Sequence, residues 1–170
     1  MQRNFKLEEW YVKPHHKIAD NIVDLGDAQN WGTSVKAAVS EWQLQDHPMF
    51  EELLQQLYAL YPNHKVKELW GCTYRQGDFA QCHCHPGFDY SFAWYLDTCV
   101  HCTPLVFPDP EHPWMPPLQV VRPKVGNLYV FGGDAPHYVP PHTCLHERVV
   151  VSGNLVSVDK EAQWEPGYYQ

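Results

Sequence analysis

The chain has 170 residues and a formal net charge of −8, with 44% hydrophobic and 19% charged residues. That balance excludes a disordered chain, and no apolar run approaches the roughly 18 residues of a membrane span. The 12 Lys and Arg are scattered rather than gathered into a basic patch, so neither nucleic acid nor a membrane is an expected partner.

In chain order, Phe5 to Val12 reads as a short strand, followed by loop to about Gly32. The stretch from Thr33 to Asn63 reads as helical. Asp46 is the expected N-cap, Pro48 stands in the first turn, and Glu51 and Glu52 suit the positive helix end. Phe50, Leu53, Leu54, Leu57, Tyr58 and Tyr61 then form a one-sided apolar stripe, and Pro62-Asn63 stops it.

From Val66 to Val158 the texture changes to short strands rich in Val, Tyr, Trp and Phe. The candidates are Val66–Tyr74, Asp89–Leu96, Leu105–Phe107, Leu118–Val121, Asn127–Phe131 and Arg148–Val156. Turns such as Gln76-Gly77-Asp78 and Gly132-Gly133-Asp134 separate them. This predicts a single α+β domain over residues 1–170, mainly β. Residues 1–65 supply an N-terminal strand and helical support, and residues 66–158 an antiparallel sandwich or jelly roll. Six cysteines, with no secretory-type apolar stretch at the start, lead to the expectation of a reducing, cytoplasmic setting.

The densest chemical feature is Cys82-His83-Cys84-His85. In a strand, His83 and His85 point to one face, where two imidazoles can chelate one metal. A third ligand must come from elsewhere, and His137, after the apolar run Leu128–Phe131, is the candidate. Eleven residues on, Arg148 opens a Val-rich strand and offers a bidentate fork for a carboxylate. A rival metal reading joins Cys82-x-Cys84 to Cys99-x-x-Cys102 as a four-cysteine zinc site, with buried free thiols as the plainer alternative. His15, His16, His47, His64, His101, His112, His142 and His146 read as surface or loop residues. Trp114, in a Pro-stiffened loop, either lines a substrate entrance or packs as a cover.

Taken together, Tyr74-x-x-Gly77, His83-x-His85, Tyr95-Leu96, Gly126, Phe131, His137-x-Val139-Pro140 and Arg148 resemble the Fe(II)/2-oxoglutarate-dependent oxygenases. The nearest flavour is the prolyl-hydroxylase-like branch with its small bacterial and phage members. The resemblance covers about Trp70 to Asn154, half of the chain. It implies a double-stranded β-helix with N-terminal helices packed on it, Fe(II) as metal and 2-oxoglutarate as co-substrate. It further implies hydroxylation of a C–H bond, with succinate and CO2 as co-products. Carried over by position, His83 and His137 match the two metal histidines. Arg148 matches the anchor of the far carboxylate of 2-oxoglutarate, and Tyr95 a Tyr that bonds the same carboxylate.

One position departs from the pattern. His85 stands where the family carries a carboxylate. Three readings stay open: His85 is itself a ligand, Asp89 supplies the carboxylate, or only two protein ligands exist and the site is degenerate. Two functional alternatives go with them, a non-catalytic metal-binding or structural β-domain and a cupin-like three-His dioxygenase without 2-oxoglutarate. The substrate, a protein side chain or a small molecule, is not encoded in residue types at the barrel mouth. A homodimer that closes that mouth is a further expectation.

Overall fold

The computed structural model describes residues 5–25 and 33–161. In chain order these form β1 (Leu7–Tyr11), α1 (Ile18–Leu25), β2 (Val35–Lys36), β3 (Ala38–Val39) and α2 (Glu51–Leu60). There follow β4 (His64–Tyr74), β5 (Phe79–His83), β6 (Tyr90–Asp97), β7 (Leu105–Phe107), β8 (Gln119–Val121), β9 (Asn127–Gly132), β10 (His137–Val139), β11 (Arg148–Ser157) and α3 (Val158–Glu161). Trp31 and Trp164 lie outside the described residues.

The strands make two antiparallel sheets, ordered β1-β9-β6-β11-β4-β3 and β2-β5-β10-β7-β8. They face each other as a jelly roll with α1 and α2 packed on the larger sheet. The long strands are apolar on both faces because both faces are covered. On β6, Phe92, Trp94 and Leu96 turn toward the helices, while Ala93 and Tyr95 turn into the barrel. On β11, Val149 and Val151 face the helices and Val150 faces the barrel. The period of two is intact, but each side meets a core instead of water. β11 pairs with β4 on one side and β6 on the other, so Arg148 starts at the centre of the large sheet.

Of the expected stripe, Phe50, Leu53, Leu57 and Tyr61 are buried and Leu54 packs beside them, whereas Tyr58 is exposed. Each fully buried Phe or Leu contributes about 1.5–3 kcal/mol on leaving water. The cap differs. Asp46 ends a 3-10 turn (Leu44–Asp46), and His47 Nδ1 accepts the Met49 N–H at 3.2 Å at the head of a second turn, Pro48–Phe50. An imidazole there takes up an N–H that a carboxylate could have taken.

Two further differences come from the N-terminal third. Before α2 only the two 3-10 turns are helical, and ahead of them β2 joins the small sheet through Val35↔Ala80 and β3 the large one through Ala38↔Thr73. The stretch expected to be loop contains α1, whose Ile18 and Ile22 are buried against β4. Gly71 makes that approach possible, since a Cβ there would lie 2.5 Å from Ile22 Cγ2. Among the described residues, no helix is long and apolar enough to cross a membrane.

Candidate metal centre

His83 closes β5, His137 opens β10, and the two are direct partners in the ladder. Their ring centroids are 4.4 Å apart. His85 lies two residues beyond the end of β5. Its backbone N–H donates to Gly133 O at 2.6 Å, which ties it to the turn leading into His137. Glycine is required at 133, where a Cβ would sit 2.3 Å from Phe88 O and 2.9 Å from His85 O. The His85 ring centroid is 5.1 Å from that of His83 and 5.3 Å from that of His137. One ring nitrogen from each of the three lies within 4.8 Å of the others.

The hydrogen bonds around the rings select which nitrogen is free. His83 Nδ1 donates to Gln81 O at 2.6 Å, and His137 Nδ1 donates to Ala135 O at 2.9 Å. Both rings are thereby held as the tautomer with a lone pair on Nε2. Burial also lowers the affinity of the rings for a second proton. It pulls His83 below the usual histidine range. It drives His85 and His137 down to about 3, assisted by the neighbouring imidazoles. Neutral imidazoles are what a metal needs.

The three histidines line a cavity of about 50 Å³ between the sheets, together with Tyr74, Tyr95 and Arg148. Arg148 is 1% exposed. Its Nη1 donates to Thr103 O at 2.5 Å, its Nε has no partner, and no ion pair among the described residues includes it. The neighbouring acid, Glu147, pairs with Arg75 at 2.9 Å instead. The guanidinium carbon lies 4.2 Å from the Tyr74 ring centroid and 5.7 Å from that of Tyr95. The ring faces partly offset the cost of a buried cation, and a bound carboxylate would offset more.

Tyr74 is the nearer of the two aromatics, and the resemblance gave it no part in binding the carboxylate. The signal for it is register, since Tyr74 and Arg148 are direct partners across β4 and β11. Asp89 is not part of the cluster. Its carboxylate accepts the Ser157 N–H at 2.7 Å and the Lys160 ammonium at 3.2 Å, with His64 at 3.9 Å. The Asp89 alternative therefore has no geometry behind it: the side chain is spent fastening the end of β11.

The cysteines also regroup. Cys82 and Cys84 are exposed and stand outside any cluster of ligand-capable side chains among the described residues. Cys99 and Cys102 gather with Cys144 instead. His142, read as a surface or loop residue, does lie in a loop but is 1% exposed, its ring bonded to Thr103 Oγ1 at 3.1 Å and to His146 O at 2.8 Å. Trp114 is 76% exposed. A groove of about 770 Å³ runs from the loop before it (Pro108 to His112) to Ala135 and Pro136, the residues preceding His137.

No protein-family profile and no curated protein sequence matches this chain. Solved structures do. The viral collagen prolyl hydroxylase vCPH of Paramecium bursaria Chlorella virus-1 superposes with a TM-score of 0.65, over 89% of this chain and 96% of that one, at 11% identity. A Pseudomonas putida prolyl-4-hydroxylase gives 0.63 over 91% and 94%, at 18% identity. A Trichoplax adhaerens prolyl hydroxylase, in complex with a hypoxia inducible factor oxygen degradation domain peptide fragment, gives 0.63 over 94% and 87%, at 11% identity. The barrel is a double-stranded β-helix. At such identities the likeness establishes this fold and nothing finer. Within the β-helix, the residues that differ from the expected metal set are decided by this chain alone: three imidazoles converge, and no carboxylate joins them among the described residues.

Proposed function

We propose that the chain is a metal-dependent oxygenase of the three-histidine kind, with iron(II) held by His83, His85 and His137. The observation that carries this reading is the donor set. Three buried or half-buried imidazoles converge on one cavity, two of them locked with Nε2 free and no carboxylate among them. Imidazole suits iron, as it suits other first-row metals. Iron(II) supplies the activation of O2 that no side chain can supply.

The residues do the remaining work. Gln81 O and Ala135 O orient His83 and His137, and Gly133 holds the backbone of His85 close. In this reading the substrate itself enters the cavity, as in cupin-like dioxygenases, and no 2-oxoglutarate is consumed. Arg148 takes a carboxylate of that substrate.

A second reading keeps 2-oxoglutarate as co-substrate, with hydroxylation of a C–H bond and release of succinate and CO2. The buried Arg148, with an unpartnered Nε and rings of Tyr74 and Tyr95 beside it, favours this reading. Arg148 then takes the far carboxylate, and the substrate approaches along the groove that reaches Ala135 and Pro136.

Anaerobic titration of the iron(II)-loaded protein with 2-oxoglutarate separates the two. A saturable visible charge-transfer band that disappears in Arg148→Ala would establish the co-substrate reading. Iron bound with no band, and O2 uptake with a carboxylate-bearing substrate alone, is the result expected of the three-histidine reading. A protein that binds no iron would overturn both and leave a structural β-domain.

A further inference from the structure

A second cluster of metal-ligating side chains lies away from the histidines. Cys99 and Cys102 stand in the turn after β6, and Cys144 in the connection between β10 and β11. Cys99 Sγ is 3.5 Å from Cys102 Sγ and 3.5 Å from Cys144 Sγ, although Cys99 and Cys144 are 45 positions apart in the chain. All three sulfurs lie within 4.8 Å of one another. A disulfide would bring two of them to about 2.05 Å and strand the third. A tetrahedral metal with bonds to sulfur of about 2.3 Å places its sulfur ligands about 3.8 Å apart, which is close to the observed spacing.

Backbone N–H groups reach two of the three sulfurs. The Cys99 N–H donates to Cys102 Sγ at 3.3 Å, and the His146 N–H donates to Cys144 Sγ at 3.3 Å. Each of the two loops supplies one of these bonds. A neutral thiol is a weak acceptor, so two such donors are better matched to thiolates, the form that binds a metal.

We propose that Cys99, Cys102 and Cys144 form a structural zinc site. Its fourth position falls to solvent or to the His146 ring, which stands two residues after Cys144 and here bonds Asp97 at 2.9 Å. Thiolates favour soft and borderline metals, zinc among them, and tetrahedral sulfur sites are typical of structural zinc. The site fastens together the two loops that hold Arg148. One loop ends at Thr103, whose carbonyl accepts from the guanidinium, and the other leads through His146 directly into Arg148. His142 lies between them, bonded to Thr103 Oγ1 and His146 O. The site is thus a positioning device for Arg148. It does not depend on which metal or co-substrate the histidines take.

The test is elemental analysis of the full chain, produced with zinc available and with the histidine centre removed by His83→Ala and His137→Ala. The expected result is about one zinc per chain, retained in that double variant and in Cys82→Ser with Cys84→Ser, but lost in Cys99→Ser and in Cys144→Ser. Cobalt(II) in place of zinc should give intense sulfur-to-metal charge-transfer bands in the near ultraviolet. Should the cysteine variants fail to fold, titration of the wild-type chain with an organomercurial decides: zinc release that tracks thiol modification supports the site. Zinc present in wild type but absent from His83→Ala with His137→Ala would place the metal on the histidines and overturn the proposal. So would a zinc-free wild-type chain with these thiols freely reactive, or a disulfide between any two of them.

Discussion

His83 and His137 face each other across the β5–β10 ladder, with ring centroids 4.4 Å apart, although 54 positions separate them in the chain. Their opposition is a consequence of register, so it survives only while β5 and β10 pair in this way. Both rings are also locked by Nδ1–carbonyl bonds. Replacing His137 with Ala removes a candidate ligand without disturbing the register, because the ladder is a backbone feature. Loss of metal affinity by at least about 100-fold is expected, beyond the cost of losing a residue that only orients a ligand. Competition titration against a chelator with a metal-sensitive dye measures it, and an unchanged circular dichroism spectrum shows that the barrel persists. An affinity within a few-fold of wild type would remove His137 from the centre.

The depressed proton affinity of His85 and His137 sets a pH dependence in the metal-free protein. Folded, both groups titrate at about 3; unfolded, near 6.5. Between those values the unfolded chain binds more protons than the folded one, so stability rises with pH there and is lost as pH falls from about 6.5 toward 3. For the buried His137 the slope approaches about 1.4 kcal/mol per pH unit. Urea unfolding between pH 4 and pH 7 should show this slope, and His137→Gln should reduce it. An identical slope in the variant would mean that the ring is protonated in the folded state.

The strands of this fold were legible because the residues of β6 and β11 alternate between two cores and so read as long apolar runs. The helix α1 was not, since only Ile18 and Ile22 of its eight residues are fully buried, with Ala19 and Val23 packed beside them. β10 is three residues between Pro136 and Pro140, and such a segment carries no periodicity. The three histidines could be picked out from His-x-His and one further His near an arginine. That Asp89 belongs elsewhere could not, because its partners Ser157 and Lys160 lie some 70 positions away. Cys144 was invisible for the same reason: nothing local marks it as a neighbour of Cys99.

Gly71 is where α1 closes on β4. A methyl group at this position would meet Ile22 Cγ2 at 2.5 Å and Cδ1 at 2.9 Å. Gly71→Ala is expected to destabilise the chain by about 1–3 kcal/mol through overpacking. The obstructing atoms belong to a side chain, so a smaller residue should relieve them. Ile22→Ala costs about 2–5 kcal/mol alone, and in combination with Gly71→Ala the total should fall clearly short of the sum. Chemical denaturation of the four variants completes the cycle. Strict additivity would show that α1 does not rest on Gly71.

Arg148 separates binding from stability. It is a buried cation with one carbonyl acceptor, an unpartnered Nε and two aromatic rings for company. Burying a charge without an ionic partner is costly, and replacing it by an apolar side chain of similar reach is often neutral or stabilising. Arg148→Met should therefore leave the melting temperature unchanged or raise it. The same variant should lose affinity for a carboxylate ligand by about 100-fold, roughly the 2.7 kcal/mol of a charge-assisted pair, while the histidines keep their metal. Arg148→Lys should recover the charge but not the planar fork, and bind the carboxylate only weakly. Calorimetry of the metal-loaded variants with a dicarboxylate, beside thermal unfolding of each, tests both halves. A destabilised Arg148→Met that still binds carboxylate at wild-type strength would make Arg148 a structural residue held by Thr103, and the anion site would have to be sought elsewhere in the barrel.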